Sequence, residues 1–420
     1  MAPFLRGILR PYKILLLAVC ALLAGLLLAN GWASTEFRKG KKAYQAEDYD
    51  EAQRHFRSCR HIWGRRGVLH LWQARAARWQ GDLQEAETQL KECRRLGYNT
   101  EEVQLEWLLL RFVRGEIDQL WAGLWFTVSD DYPHSVEILK TMTAVYLNDI
   151  RYRDASACLE RWLQMDPQAI RALEWRAWLK ERLGRSEAAL DDYRAALALA
   201  PERNMTRARV AHLLLDSAAA TEALKEYEYL HASEPDNLDY YVGIGRAKFL
   251  LGQADEARRI YHEVLTRDPD HDSALRALAK LEVATGEYRN AEQLSRKLLA
   301  KDPVDFQANY TLYLSLQGQS GREAEAKEQE THFKHFRDAL DRVHTIALEI
   351  DQYLNNADKM AEFGADLIEV GQADRGLVWL DRALKLNPHH RFALETLVKY
   401  YQNRDPAKAE VFKNMLSAES

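Results

Sequence analysis

An all-helical solenoid is the fold this 420-residue chain predicts, and three observations point to it. Pro167, Pro201, Pro235, Pro269 and Pro303 stand 34 residues apart. Ala155, Ala189, Ala223, Ala257 and Ala291 keep the same interval, and Gly184, Gly252 and Gly286 share a third position. A period of this length is one supersecondary unit repeated, each too small to bury its own apolar face and therefore stacked on its neighbours.

Each period reads as two helices. In a frame that puts the prolines at position 32, the glycine at 15 ends the first helix and the proline stops the second. The alanine at 20 lies where the helices cross, since a small side chain lets two backbones approach. Position 8 is small for the same reason (Ala177, Ala211, Gly245, Ala279), and an aromatic at 24 (Tyr193, Tyr227, Tyr261) fills the space beside it. This set of positions resembles the tetratricopeptide repeat. The resemblance reaches upstream through Gly40, Ala52, Ala74, Gly81, Ala86 and Gly115, and downstream through Gly364, Gly371, Leu380, Ala383 and Pro388. It implies a right-handed α-α solenoid of about ten helical hairpins over residues 36–420.

Two stretches depart from the frame. Between Gly115 and Pro167 it slips by one residue, and Leu120 with Leu124 replaces the usual Ala and Tyr. Between Pro303 and Pro388 there are 85 residues, two periods plus 17, which predicts one extra helix. There Phe333, Phe336, Leu340, Val343, Ala347, Ile350 and Leu354 alternate spacings of three and four. That seam packs on the neighbouring repeat or joins two copies of the chain. The predicted organisation is a basic tail (1–13), a transmembrane helix or signal peptide (14–35) and divergent Trp-rich repeats (36–133). Regular repeats (134–303), a degenerate repeat with the extra helix (304–356) and a terminal repeat with capping helices (357–420) follow.

The start of the chain carries the second strong signal. Ile14 to Thr35 contains no charged residue, and Arg6, Arg10 and Lys13 precede it. About 20 apolar residues span a bilayer as a helix. A signal peptide is the alternative, because small residues surround Gly31 and Ala33. Its apolar region is ordinarily only about 7–15 residues long, which favours a retained anchor. Basic residues flank both ends of the span. The short basic N-terminus stays inside and the long C-terminal domain translocates regardless of charge, so the repeats are expected on the exported, periplasmic or extracytoplasmic side.

Composition excludes other classes. The net charge is −5, with no basic balance to suggest nucleic acid. Four cysteines lack any CxxC pairing, and Cys59 and Cys93 share position 27, where a small buried side chain is expected. Phosphate loops, Gly-x-Ser-x-Gly and His-Glu-x-x-His are absent. His332 and His335 share a helical face without an acidic or cysteine partner at ligand spacing, so neither cofactor nor metal is expected. Asp268, Asp270, His271 and Asp272 read as a turn capping the next helix.

Function is then expected on the concave face lined by the first helices. The family resemblance implies that positions 2, 5, 9, 12 and 13 face it. They place Arg75, Trp178, His212, Arg246, Arg276 and Lys280 there, with Lys140, Trp79 and Phe249 beside them. Basic groups interleaved with aromatics suit a protein partner or extended peptide with acidic groups. The family's carboxylate clamp needs Lys at 5 and Asn at 9, and Phe37 with Lys41 or Leu71 with Arg75 does not supply it. The expected function is a membrane-anchored, non-catalytic scaffold, with self-association through Phe333, Phe336, Leu340, Val343 and Ile350 as a further possibility. A soluble periplasmic or secreted adaptor released by signal-peptide cleavage is the alternative. An enzyme with a site in the 322–356 insertion is a more distant one.

Overall fold

The computed structural model describes the backbone of residues 2–417. Met1 and residues 418–420, the extremities of the predicted tail and cap, lie outside the described residues. So do the side chains of Arg6, Arg10 and Lys13. Among the described residues there are only helices, in eleven successive pairs. They are α1–α2 (Ala2–Gln45, Tyr49–Trp63), α3–α4 (Gly67–Trp79, Leu83–Arg95), α5–α6 (Glu101–Val113, Ile117–Thr127), α7–α8 (Ser135–Asn148, Tyr152–Met165), α9–α10 (Ile170–Arg182, Ser186–Leu199) and α11–α12 (Asn204–Asp216, Ala220–Ser233). Then come α13–α14 (Leu238–Leu250, Ala254–Arg267), α15–α16 (Asp272–Thr285, Tyr288–Lys301), α17–α18 (Phe306–Gln317, Glu323–Glu349), α19–α20 (Ala357–Glu369, Ala373–Leu386) and α21–α22 (Arg391–Tyr401, Pro406–Ser417).

The turn inside each of the first ten pairs uses one residue with a left-handed backbone. Glycine holds it seven times, at 81, 115, 184, 252, 286, 321 and 371; Glu47, Ile150 and Ala218 hold it otherwise, at φ of 64°, 62° and 60°. In the pair α13–α14, Gly252 N–H donates to Phe249 O (3.0 Å) and Gln253 N–H to Lys248 O (2.9 Å). These bonds satisfy carbonyls that the end of α13 would otherwise leave unpaired. Ile150 falls one residue later than the period demands, which is the frame slip seen in the sequence.

The crossing alanines Ala52, Ala155, Ala189, Ala223, Ala257 and Ala291 are completely buried. Position 8 is small because an aromatic ring occupies the space a larger side chain needs. A Cβ on Gly245 would stand 2.5 Å from the Tyr261 ring, and one on Gly40 2.6 Å from the Phe56 ring.

The chain divides into two compact units, residues 1–145 and 146–420, with the boundary inside α7. The first unit has an aromatic core. Phe37 lies 5.6 Å from Phe56, 5.3 Å from Trp63 and 6.5 Å from Trp72 between ring centroids. Helix α1 serves two purposes in it. From Ala33 to Tyr44 it packs on α2 as the first helix of the first repeat, whereas Leu22, Leu26, Leu27 and Leu28 are more than half exposed. The segment Val19–Gln45 is long and apolar enough to cross a membrane.

The second unit holds the regular repeats. Its beginning meets hairpins much later in the chain: Ile150 packs with Val343, Ile350, Phe363 and Trp379, and Arg382 lies 2.9 Å from Asp149. The surplus residues after Pro303 do not form a separate helix as expected. They lengthen α18 to 27 residues, ending in a short 3-10 turn (Ile350–Gln352), because no glycine or proline stands between Glu323 and Glu349. Phe333, Phe336, Val343 and Ile350 are buried within the unit, the first two beside the Phe306 ring at 5.0 and 5.9 Å. The seam that could have joined two copies is therefore covered by this chain's own repeats, and only Leu340 reaches 37% exposure.

At the junction of α16 and α18, Gln319 and Arg296 each approach Glu292 to 2.9 Å, and Arg322 approaches it to 3.1 Å. Burial alone would raise this carboxyl, but the three donors outweigh it and bring its pKa down to about 2.

Two predictions follow from the turns and from this junction. Non-glycine residues pay roughly 1–2 kcal/mol in a left-handed turn, so Ala218→Gly raises the thermal midpoint and Gly252→Ala lowers it by a comparable amount. Glu292 has a folded pKa below its unfolded one, so its contribution is complete above the ordinary value of 4.5 and disappears as pH falls toward 2. Unfolding of the Glu292→Gln chain should differ from the parent at neutral pH and converge with it in acid; a constant difference would contradict the assignment.

Candidate functional site

Two inner faces arise from the first helices, one in each unit. In the first unit α7 covers it. Arg78 Nη2 donates to Glu137 Oε1 (2.6 Å), Arg78 Nη1 to Thr141 Oγ1 (3.0 Å) and Trp79 Nε1 to the same Glu137 oxygen (3.0 Å). Tyr44 Oη donates to it too, at 3.1 Å. On its other side Arg78 Nε donates to Glu106 Oε1 at 2.5 Å. Lys140 donates to Glu47 (2.5 Å) and Tyr49 (3.0 Å) and stands 4.8 Å over the Trp79 ring.

Burial of Arg78 and Glu106 is almost complete, so the charges are removed from water together. Burial by itself would push the Glu137 carboxyl up, but Arg78 and Lys140 outweigh it and hold the group below its ordinary range. Burial would lower Arg78, and Glu106 with Glu137 reverses that into a raised pKa. Arg75 is also buried; it lies 3.7 Å from both Glu102 and Glu106 and over the Trp72 ring. Its sequence position is that of a groove cation, yet its charge is neutralised by neighbours in its own unit.

The inner face of the second unit is more open. Trp178 on α9 is half-buried, edge-on to Tyr152, with the Arg182 guanidinium 5.1 Å over its ring. His212 on α11 lies 3.2 Å from Asp216, and Arg246 on α13 approaches the same carboxylate to 3.8 Å. The adjacent His212 ring, with the charges of Arg246 and Lys280, lowers the Asp216 pKa. Lys280 on α15 is exposed. Four predicted residues thus line successive first helices, and three of them gather around one acid. Arg276 is engaged separately, its Nε donating to Asp305 Oδ2 at 2.6 Å. Asp216 was missed in the sequence, although a lone acid at the end of a groove helix among three bases was a visible signal.

The long helix α18 carries His332, His335 and His344 on exposed positions, and His335 pairs with Glu369 at 2.8 Å. Among the described residues no group of three or more His, Cys, Asp or Glu is placed to hold a metal ion. His271 and His390 instead cap α15 and α21, accepting from Ala274 N–H (3.4 Å) and Ala393 N–H (3.2 Å). Burial pushes the Cys59 thiol up to about 11 and Cys93 to about 12, where both remain protonated.

Family signatures described as tetratricopeptide repeat match residues 144–204, 214–281 and 249–319. Over these residues the chain is similar to tetratricopeptide repeats. The matches run from the end of α7 to just past the end of α17 and leave out residues 205–213 of α11. Among curated proteins, the chain is 24% identical over 237 residues to the DnaJ protein P58IPK homolog A of Oryza sativa subsp. japonica, covering 50% of this chain and 49% of that one. It is 25% identical over 183 residues to the DnaJ protein P58IPK homolog of Arabidopsis thaliana, covering 41% and 38%. The chain spans about half the length, or less, of these relatives. Among solved structures, a tetratricopeptide repeat protein from Parabacteroides merdae is 16% identical, covering 68% of this chain and 98% of its own, with a TM-score of 0.39.

The buried charges of the first unit generate a further prediction. Arg78→Met leaves Glu106 and Glu137 without their shared cation and should cost about 3–5 kcal/mol. Adding Glu106→Gln and Glu137→Gln should restore much of that loss in thermal unfolding. If the single variant is as stable as the parent, the charge network does not hold α7 in place.

Proposed function

We propose that the protein is a membrane-anchored, non-catalytic scaffold that holds an extended, acidic segment of a partner protein on the inner face of its second unit. The cluster around Asp216 carries this reading. His212, Arg246 and Lys280 come from three consecutive first helices and share a single carboxylate, so positive charge is in excess there. Carboxylates of an extended chain suit such spaced cations, and Trp178 offers a rigid apolar surface at the same face. Arg75 and Arg276 already have acidic neighbours and are less available.

The joint between anchor and repeat supports retention of the N-terminal helix over its removal. Trp63 Nε1 and Arg66 Nη2 both donate to Asn30 Oδ1, at 2.9 and 2.8 Å, and the Cys59 thiol donates to the Ala33 carbonyl at 3.3 Å. Cleavage near Gly31 or Ala33 would strip these partners from the first repeat. With the short basic N-terminus kept inside, the repeats face the exported side.

Binding of an acidic extended peptide to the full chain tests the groove. Arg246→Ala should weaken it roughly tenfold, the worth of one charge-assisted hydrogen bond, and Trp178→Ala with Lys280→Ala should weaken it further. Unchanged affinity in variants with unchanged helicity would refute the groove assignment. Alkaline extraction with N-terminal sequencing of the mature chain separates the anchor from a released adaptor, and protease protection in sealed vesicles reports the side.

A further inference from the structure

We propose that the turn between α2 and α3, together with the adjoining end of the apolar helix, forms a collar that binds the headgroups of anionic phospholipid. This inference rests on the retained anchor proposed above and adds what the first repeat does at the membrane surface.

Helix α2 runs back along α1 towards its apolar part. His55 meets Glu36 at 2.7 Å, Cys59 meets Ala33 at 3.3 Å, and Trp63 meets Asn30 at 2.9 Å. Each step along α2 is therefore a step closer to the bilayer. From Ile14 to Ala29 the helix is roughly 24 Å long at about 1.5 Å per residue, most of the roughly 30 Å of a hydrocarbon core. Residues beyond Asn30 cannot enter that core without drawing in Trp63 and Arg66, which are bonded to Asn30. The turn is thus held at headgroup depth.

Its composition fits that depth. No aspartate or glutamate occurs between Glu51 and Asp82. Arg60, Arg65 and Arg66 are exposed at the end of α2 and in the turn, and the Arg66 guanidinium lies 4.0 Å over the Trp63 ring. Ile62 and Trp32 are 39% and 49% exposed beside them. Arginines beside an apolar residue and an indole are what a lipid surface recognises, the cations meeting phosphate and the indole resting at the interface. A solvated charged face accounts for the arginines alone. It does not account for Ile62 and Trp32 exposed among them at the mouth of a spanning helix.

The test uses the full chain reconstituted into phosphatidylcholine vesicles with or without phosphatidylglycerol. An environment-sensitive fluorophore is placed at Ile62→Cys or, at the far end of α2, at Asp50→Cys, in a Cys20→Ser background. The other three cysteines are buried. In vesicles containing phosphatidylglycerol, chemical quenching from the aqueous side should be roughly tenfold slower at position 62 than at position 50. Arg60→Glu with Arg65→Glu should abolish the difference. Equal quenching at both positions in a chain that floats with the vesicles overturns the collar and leaves the anchor standing. Protection that is the same without phosphatidylglycerol, or that survives the charge reversals, overturns anionic recognition. A chain that does not float removes the anchor and the collar together.

Discussion

The close approach of two helix backbones, repeated every 34 residues, is the constraint on which the structure rests. Such an approach needs a small side chain, so alanine or glycine stands at the crossings of the regular repeats, and rings such as Phe56, Tyr227 and Tyr261 fill the space beside it. The left-handed residue in each turn then fixes how the second helix returns. Among the regular hairpins of the second unit, α11, α13, α15 and α17 lie each beside the next, and side chains 34 apart in sequence become adjacent on one face.

That repetition has different outcomes in the two units. In the second, the first helices present Trp178, His212, Arg246 and Lys280 on an inner face where the bases outnumber the one acid they share. In the first, the comparable face is covered by α7, and Glu137 and Lys140 complete a buried network with Arg78, Tyr44 and Trp79. Basic side chains of the first helices are thus buried in a charge network in one unit, whereas Arg246 is half-buried and Lys280 exposed in the other. The difference is set by what packs above them, since a cation next to a buried carboxylate has no charge left for a partner.

The joint at the start of the chain obeys the same logic of shared helices. A flexible linker would have uncoupled an apolar segment from the repeats. Helix α1 runs through without a break, and Asn30 ties its last exposed turn to Trp63 and Arg66. Any orientation adopted by the apolar part is therefore transmitted to the first hairpin.

Hairpins, turns, crossing alanines and the apolar helix were all legible in the sequence, because each follows from local geometry recurring at a constant interval. Even the frame slip near Ile150 could be read before its left-handed turn was seen. The surplus after Pro303 was legible as a length but not as a form: an unbroken helical run can stop or continue, and only packing on Phe306 and Ile150 draws α18 out to Glu349. The groove is an expectation drawn from a set of positions, and the surroundings of each charge were not legible from those positions. Arg75 and Arg246 are equivalent by spacing, and Arg276 stands at another position expected on the same face. Their separation into a buried, a part-exposed and a closely paired guanidinium arises from residues distant in the chain, whose approach depends on the stacking of whole hairpins and leaves no periodic mark.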